Sequence, residues 1–433
     1  MSQSFRKSIY GTLVAISVSI GIADGALAEP KWWSQHQGDA AHSGYLPRHI
    51  NPLRITPLWT KTKTSLVQTS LYEGVATDSS FVYLSGTNSN FGTNSVLALD
   101  RSTGLWVWEQ RLFPTIPGQS WGLSAPSAEN GMVYAHRYGH SGSPSGGSGN
   151  SPRMLGMQAQ NGAMVFSTAH AGQWSSGCRP TVEGEMIFGE AGYYGGMEGY
   201  NATTGATAWF SNFVSSDSDI PSANSTHVFS YNKKRDINTG VDYGTLFAID
   251  RTTGQTAYTI RDPQDHSSAW ARVVLGTQND ALVVVPFHGS VTSFDLESRS
   301  IKWRTTGIQY KSMAVGGGTI FVKAGTGVTM LNESTGENLG NWINPGGHTL
   351  QGDIIATGNL VFAGTNYHTY AFDRSTRETV WSTTTVGNLA IDDGLLVISN
   401  STSVSVFSIP EPSTVSLLLI AGLSLARVGR RRS

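Results

Sequence analysis

The chain has 433 residues, with 29 Lys and Arg against 30 Asp and Glu, only 14% charged residues, 50 Gly, 12 Trp, 15 Tyr and 16 Phe. That composition excludes a bundle of charged amphipathic helices and a basic nucleic-acid binder, and it suits many short strands joined by tight turns. A single cysteine, Cys178, excludes an intramolecular disulfide, and no Cys/His cluster has zinc-ligand spacing.

The first predicted element is an export segment, residues 1–28. Arg6 and Lys7 precede an apolar stretch through Ile22, and Ala26-Leu-Ala28 offers the small side chains of a signal-peptidase site before Glu29. Residues 29–409 form the predicted body. Residues 410–433 read as a helix breaker (Pro410, Glu411, Pro412), an apolar stretch from Val415 to Ala426 and a basic end at Arg427, Arg430, Arg431 and Arg432. Twelve residues at ~1.5 Å each span roughly 18 Å, short of the ~30 Å hydrocarbon core, which predicts transient membrane contact through this helix. Without both ends, 23 basic residues face 28 acidic ones, a net charge of −5 that argues against a phosphate-backbone partner.

One phrase recurs along the body: a short apolar run, a polar turn, glycine or an equivalent, and an aromatic residue four positions later. It begins as Val96-Leu-Ala-Leu-Asp-Arg-Ser-Thr-Gly104 with Trp108. The following copies end at Gly162 with Phe166, Gly205 with Trp209, Gly254 with Tyr258, Arg299 with Trp303, Gly336 with Trp342 displaced by two, and Arg377 with Trp381. The turns are 58, 43, 49, 45, 37 and 41 residues apart, the length of a four-stranded propeller blade. Residues 139–152, nearly all Gly, Ser, Asn and Pro, account for the long first interval as a flexible insertion. In each unit the apolar run is predicted as the third strand and the aromatic as packing between blades.

After Trp381 three strand patterns remain, at Val386-Gly-Asn-Leu-Ala, Leu395-Leu-Val-Ile and Val404-Ser-Val-Phe, without an outer partner. Pro57-Leu-Trp59-Thr-Lys-Thr is an outer strand without the other three. Joined, they complete an eighth blade. The predicted fold is therefore all-β, an eight-bladed β-propeller closed by the N-terminal outer strand joining the last blade, with no free sheet edge at the seam.

The phrase Ala-Leu-Asp-x-x-Thr-Gly-x-x-x-Trp, with the lead Trp32-Trp33-Ser-Gln-His-Gln-Gly-Asp-Ala-Ala-His42-Ser-Gly44, resembles the PQQ-like repeat over nearly the whole body. That family includes quinoprotein alcohol dehydrogenases and a non-enzymatic propeller of outer-membrane assembly. The tail resembles the PEP-CTERM sorting signal of Gram-negative bacteria. This resemblance implies recognition of Pro410, Glu411 and Pro412 by an exosortase and residence at the cell surface or in an exopolysaccharide matrix.

Loops that run from an outer strand to the next inner strand surround one mouth of a propeller channel. Here they carry Trp121, Trp174, Arg179, Asp265, His266, Trp270, Arg272, Tyr310, Lys311, His348 and Gln351. Flat aromatic faces beside Arg, His and Gln suit a sugar or an aromatic ring. Asp236-Ile-Asn238-Thr-Gly240-Val-Asp242 spaces oxygen ligands at alternate positions but lacks the terminal glutamate of a calcium loop, so it reads first as an Asx turn. No Gly-x-Ser-x-Gly elbow or His-Glu-x-x-His helix appears. The expectation is a non-catalytic binding or scaffold module without a cofactor, its partners signal peptidase, exosortase and a polysaccharide or another surface protein. The alternatives are an oxidoreductase using PQQ with calcium and an enzyme acting on polysaccharide.

Overall fold

A computed structural model describes residues 31–71, 74–114, 122–138, 152–170, 179–191, 196–212, 220–266, 271–285, 289–306 and 310–409. Both sorting segments lie outside the described residues, as do Cys178 and most of the Gly/Ser-rich insertion.

The predicted repeat becomes eight antiparallel sheets, each a blade. Blade 1 covers residues 68–114, blade 2 122–169, blade 3 181–211, blade 4 222–262, blade 5 272–306, blade 6 310–343 and blade 7 350–383. Blade 8 takes three strands from residues 388–408 and its outer strand, Thr56–Thr62, from near the other end of the chain. Thr56 pairs with Ser408 and Thr62 with Ser403, the predicted seam. The helical content described is two single turns, His36–Gly38 and Pro52–Arg54.

Each turn glycine explains how one blade holds the next. At Gly104 φ is +66°, and an added Cβ would lie 2.6 Å from the Trp59 ring of blade 8. Trp59 Nε1 donates to Arg101 O of the same turn at 3.0 Å. The arrangement repeats around the ring. Trp108 donates to Ala159 O at 2.9 Å and covers Gly162, while Trp209 donates to Arg251 O at 2.9 Å and covers Gly254. Where the repeat writes Arg for Gly, at Arg299 and Arg377, φ stays positive at 53° and 62°. Arg299 then stacks on Tyr258, 4.5 Å from the ring centroid. The repeated aromatic is thus an interblade clamp.

The apolar alternation of the strands fills the wedges between blades. Phe229, Tyr231, Leu246, Val273 and Phe294 form one such layer. The largest layer crosses the seam, joining Leu396, Val397 and Val406 of blade 8 to Val82 and Leu97 of blade 1 and Phe362 of blade 7. Trp33 and Leu46, from the segment before the seam strand, belong to it as well.

Candidate functional site

The innermost strand of every blade presents an edge of backbone groups to the bore, and buried edge groups need partners. Residues 31–46, here called the strap, supply them to all eight blades in order of rotation. Lys31 O accepts from Asp393 N of blade 8 at 3.1 Å, Trp33 O from Thr77 N of blade 1 at 2.9 Å and Ser34 O from Ala128 N of blade 2 at 2.6 Å. The Gln35 side-chain amide brackets Val182 of blade 3, accepting from its N at 2.8 Å and donating to its O at 2.9 Å. Ala40 O takes Ala223 N of blade 4 at 2.7 Å, Ala41 O takes Leu275 N of blade 5 at 2.9 Å and Ser43 O takes Val315 N of blade 6 at 2.7 Å. Gly44 O accepts from Ala356 N of blade 7 at 2.8 Å, and Tyr45–Leu46 continue as a short parallel strand beside Ala356–Thr357.

Positive φ at Gln37 (54°), Gly38 (88°), His42 (56°) and Gly44 (61°) bends the strap into this circuit. The Gly38 Cα lies so close under Trp33 that a Cβ would meet its ring at 2.8 Å. What sequence reasoning treated as a family signature is a girdle inside the bore. Its only local signal was glycine and small residues between two buried anchors, Trp33 and Leu46.

The strap points two buried histidines at the wall. His42 contacts Ser222 Oγ through Nδ1 and Thr181 Oγ1 through Nε2, both at 3.2 Å. Burial pulls its pKa down to about 4; Asp39 and Asp353 oppose the shift, and Arg272 and Arg179 reinforce it. His36, 5.1 Å away ring to ring, is held well below the ordinary imidazole range by burial and then by Arg179, with Asp353 working against both.

Arg179 Nη1 lies 2.8 Å from His36 Nδ1, and Arg272 Nη1 lies 3.2 Å from His36 Nε2. Asp353 accepts from Ser312 Oγ at 3.0 Å and sits 3.9 Å from His36 Nδ1. Desolvation pushes the Asp353 carboxyl up, but the electrostatic pull of His36, Arg272, Arg179 and Lys323 outweighs it and holds it well below the usual carboxylate range. His36, Gln37, His42, Arg272, Ser312, Met313 and Asp353 line a cavity of about 20 Å³. That is room for about one water molecule.

Of the residues singled out in sequence, the structure brings Arg179 and Arg272 together across His36. His266 instead contacts Asp242 O at 3.2 Å and the Tyr243 ring at 5.1 Å, on its own blade. Asp265 is buried and accepts from Tyr231 Oη at 2.9 Å. His348 packs on Tyr367, 4.4 Å between ring centroids, and Gln351 is exposed on the inner strand of blade 7. Trp121, Trp174 and Trp270 lie outside the described residues, as do the Tyr310 and Lys311 side chains.

The Asp236 turn is closed on itself. Asp236 Oδ1 accepts from Asn238 N at 2.9 Å, and Oδ2 pairs with Arg261 at 2.9 Å. Arg261 in turn lies 3.5 Å over the Tyr243 ring centroid, and Asp242 opens the returning strand.

Calcium bound with a quinone requires six to eight oxygen ligands. Among the described residues lining the bore cavity, Asp353 is the one carboxylate, and guanidinium groups face it, so this set does not fit a divalent cation.

The chain matches the family model described as "Outer membrane protein assembly factor BamB" over residues 145–341 and 195–409. No curated protein matches it. Among solved structures it is similar to a europium-containing methanol dehydrogenase, at 11% identity and TM-score 0.66, over 88% of this chain and 98% of that one. It is also similar to BamB from Moraxella catarrhalis, at 14% identity and TM-score 0.58, over 82% and 97%. A third is the quinohemoprotein alcohol dehydrogenase ADHIIG from Pseudomonas putida HK5, at 11% identity and TM-score 0.57, over 89% and 81%. At these identities the likeness is one of fold, and the neighbours include both dehydrogenases and an assembly factor.

Proposed function

The chain belongs to the PQQ-like repeat family of outer membrane protein assembly factor BamB, and from that premise we propose that it is a non-catalytic binding or scaffold module of the bacterial cell surface or exopolysaccharide matrix. The observation that carries the reading is the strap. A bore whose inner edges are bonded to the protein's own chain, with about 20 Å³ left over beside His36, is built as a wall. The ligand face is then the mouth above the strap, where Arg179 and Arg272 stand over His36. Guanidinium forks favour an acidic saccharide.

Export through residues 1–28 and sorting at Pro410, Glu411 and Pro412 are part of this proposal, with signal peptidase and exosortase as the processing partners. The purified protein, incubated with the exopolysaccharide of its own organism, retains it, and releases neither new reducing ends nor unsaturated sugars. Loss of retention, or release of such products, contradicts the reading.

The second reading, a PQQ-dependent oxidoreductase, is favoured by the architecture shared with two dehydrogenases. The cationic floor suits the carboxylates of a quinone, but the calcium set is not found among the described bore residues. Adding PQQ and calcium to the purified protein separates the readings: a quinone absorption band with dye-linked alcohol oxidation favours the dehydrogenase.

A further inference from the structure

A neutral imidazole has one lone pair and one N–H, and an imidazolium has two N–H groups. His36 nevertheless receives a guanidinium N–H on each of its ring nitrogens, from Arg179 at 2.8 Å and from Arg272 at 3.2 Å. Both contacts cannot be hydrogen bonds. The shorter one fits N–H donation into the Nδ1 lone pair, which leaves the proton on Nε2. His36 Nε2–H and Arg272 Nη1–H then converge as two donors with no acceptor between them.

His36 is only 7% exposed, so water does not freely reach its Nε2–H, while Arg272, the first residue of its strand, is exposed. Both groups line the one-water cavity. Gln37, 5% exposed with its Oε1 unpartnered, lines it too and can turn its amide to donate. Among the described lining residues one guanidinium, Arg272, faces one carboxylate, Asp353, and Arg179 and Lys323 add positive charge close enough to act on that carboxylate.

We infer that the space between Arg272 and His36 is an anion site that takes one oxygen of a carboxylate. The inference rests on the mouth of the bore being the binding face, and it adds what the floor of that face recognises. The carboxylate comes either from a uronic acid unit of a saccharide lying across the mouth or from a free small anion. The Asp353 carboxylate lines the same cavity and repels an incoming anion, which fixes the sign of its own substitution.

The experiment is calorimetric titration of the purified protein at low ionic strength with sodium glucuronate, sodium acetate, sodium chloride and, as the uncharged control, glucose. Glucuronate and acetate bind the native protein and glucose does not. Arg272→Gln weakens both anions by about tenfold or more, Arg272→Lys by less, and Asp353→Asn tightens them. Glucuronate binding at least about tenfold tighter than acetate assigns the carboxylate to a saccharide. Equal or tighter binding of acetate and chloride assigns it to a free anion, and either result supports the site.

Absence of anion binding in the native protein overturns the inference, as does binding that both substitutions leave unchanged. Should Arg272→Gln not fold, the gain in affinity from Asp353→Asn carries the test alone. Retention of exopolysaccharide without anion binding removes this site and leaves the proposed function standing. Anion binding without retention does the reverse.

Discussion

Replacing Asp392 with Ala probes the seam where the two ends of the body meet. The Asp392 side chain is fully buried, and it accepts from Arg101 Nη1 and Nη2, both at 2.5 Å, from Thr77 Oγ1 at 2.6 Å and from Leu395 N at 3.1 Å. Thr77 Oγ1 in turn accepts from Trp33 N of the strap at 3.0 Å, and Arg101 O holds the Trp59 indole. One carboxylate thus ties blade 8 to blade 1 and, through Thr77, to the strap. Burial pushes its pKa up while Arg101 pulls against it, so the net worth of the pair is modest. The cost of Asp392→Ala lies instead in removing the counter-charge of Arg101, whose side chain is 14% exposed and keeps only the Asp78 and Asp393 carbonyls as acceptors. Breaking a buried pair in this way costs about 3–5 kcal/mol. For a body of about 380 residues that lowers Tm by about 4–6 °C. Denaturant unfolding and a thermal scan of the variant measure the loss, and Asp392→Ala combined with Arg101→Met should recover part of it, because the stranded cation is gone. A loss below about 0.5 kcal/mol for the single substitution refutes the role given to the seam.

Gly104→Ala forces a Cβ against the Trp59 ring at φ +66°, whereas Gly131→Ala, at φ +76°, meets nothing within 4 Å. The second substitution costs about 1–2 kcal/mol of backbone strain and the first about 2–3 kcal/mol more, compared by denaturant unfolding. His42 has a folded pKa of about 4, below the unfolded value near 6.5, so the fold binds fewer protons there and the contribution is complete above about pH 6.5. Stability falls as pH drops from there towards 4, by at most about 3 kcal/mol from this residue, and His42→Gln flattens that part of the curve. Unfolding free energies at pH 7.5, 5.5 and 4.5 check it; a native curve that does not fall contradicts it. Arg261→Ala opens the stack on Tyr243 and frees Asp236 Oδ2, yet the pair is solvent-screened, so the same unfolding assay finds the variant close to the native protein.

The blades and their closure were legible because each is written locally. An apolar run, a turn with positive φ and an aromatic four residues later specify a hairpin and its clamp whatever the rest of the chain does. Pro57-Leu-Trp59 could be placed in blade 8 because three strand patterns after Trp381 lacked an outer partner, and the structure adds that Trp59 is the clamp over Gly104. The strap was not legible as structure. Its backbone partners are spread over eight sheets, so no period of 2 or 3.6 marks it, and the spacing of its bonds follows the circumference of the bore.

The floor residues divided in the same way. Arg272 is the first residue of an inner strand and therefore faces the bore, while His266 follows the end of an outer strand by four residues and contacts that blade's own rim. Membership of a connecting loop fixes the face of the propeller, but position along the loop decides how close to the axis a side chain comes. His36 and His42 were missed as bore residues because nothing in Trp32 to Gly44 showed that the segment runs through the centre.

Hydrogen exchange of the inner-strand amides that donate to the strap tests the central claim most directly. If residues 31–46 circle the bore and accept from every blade, the amides of Thr77, Ala128, Ala223, Leu275, Val315 and Ala356 exchange as slowly as those paired inside the blades, and Thr77 speeds up when Asp392 is replaced by Ala. Exchange of these edge amides within seconds, at the rate of an exposed coil, while amides paired inside the blades stay protected, contradicts a bore walled by the protein's own chain.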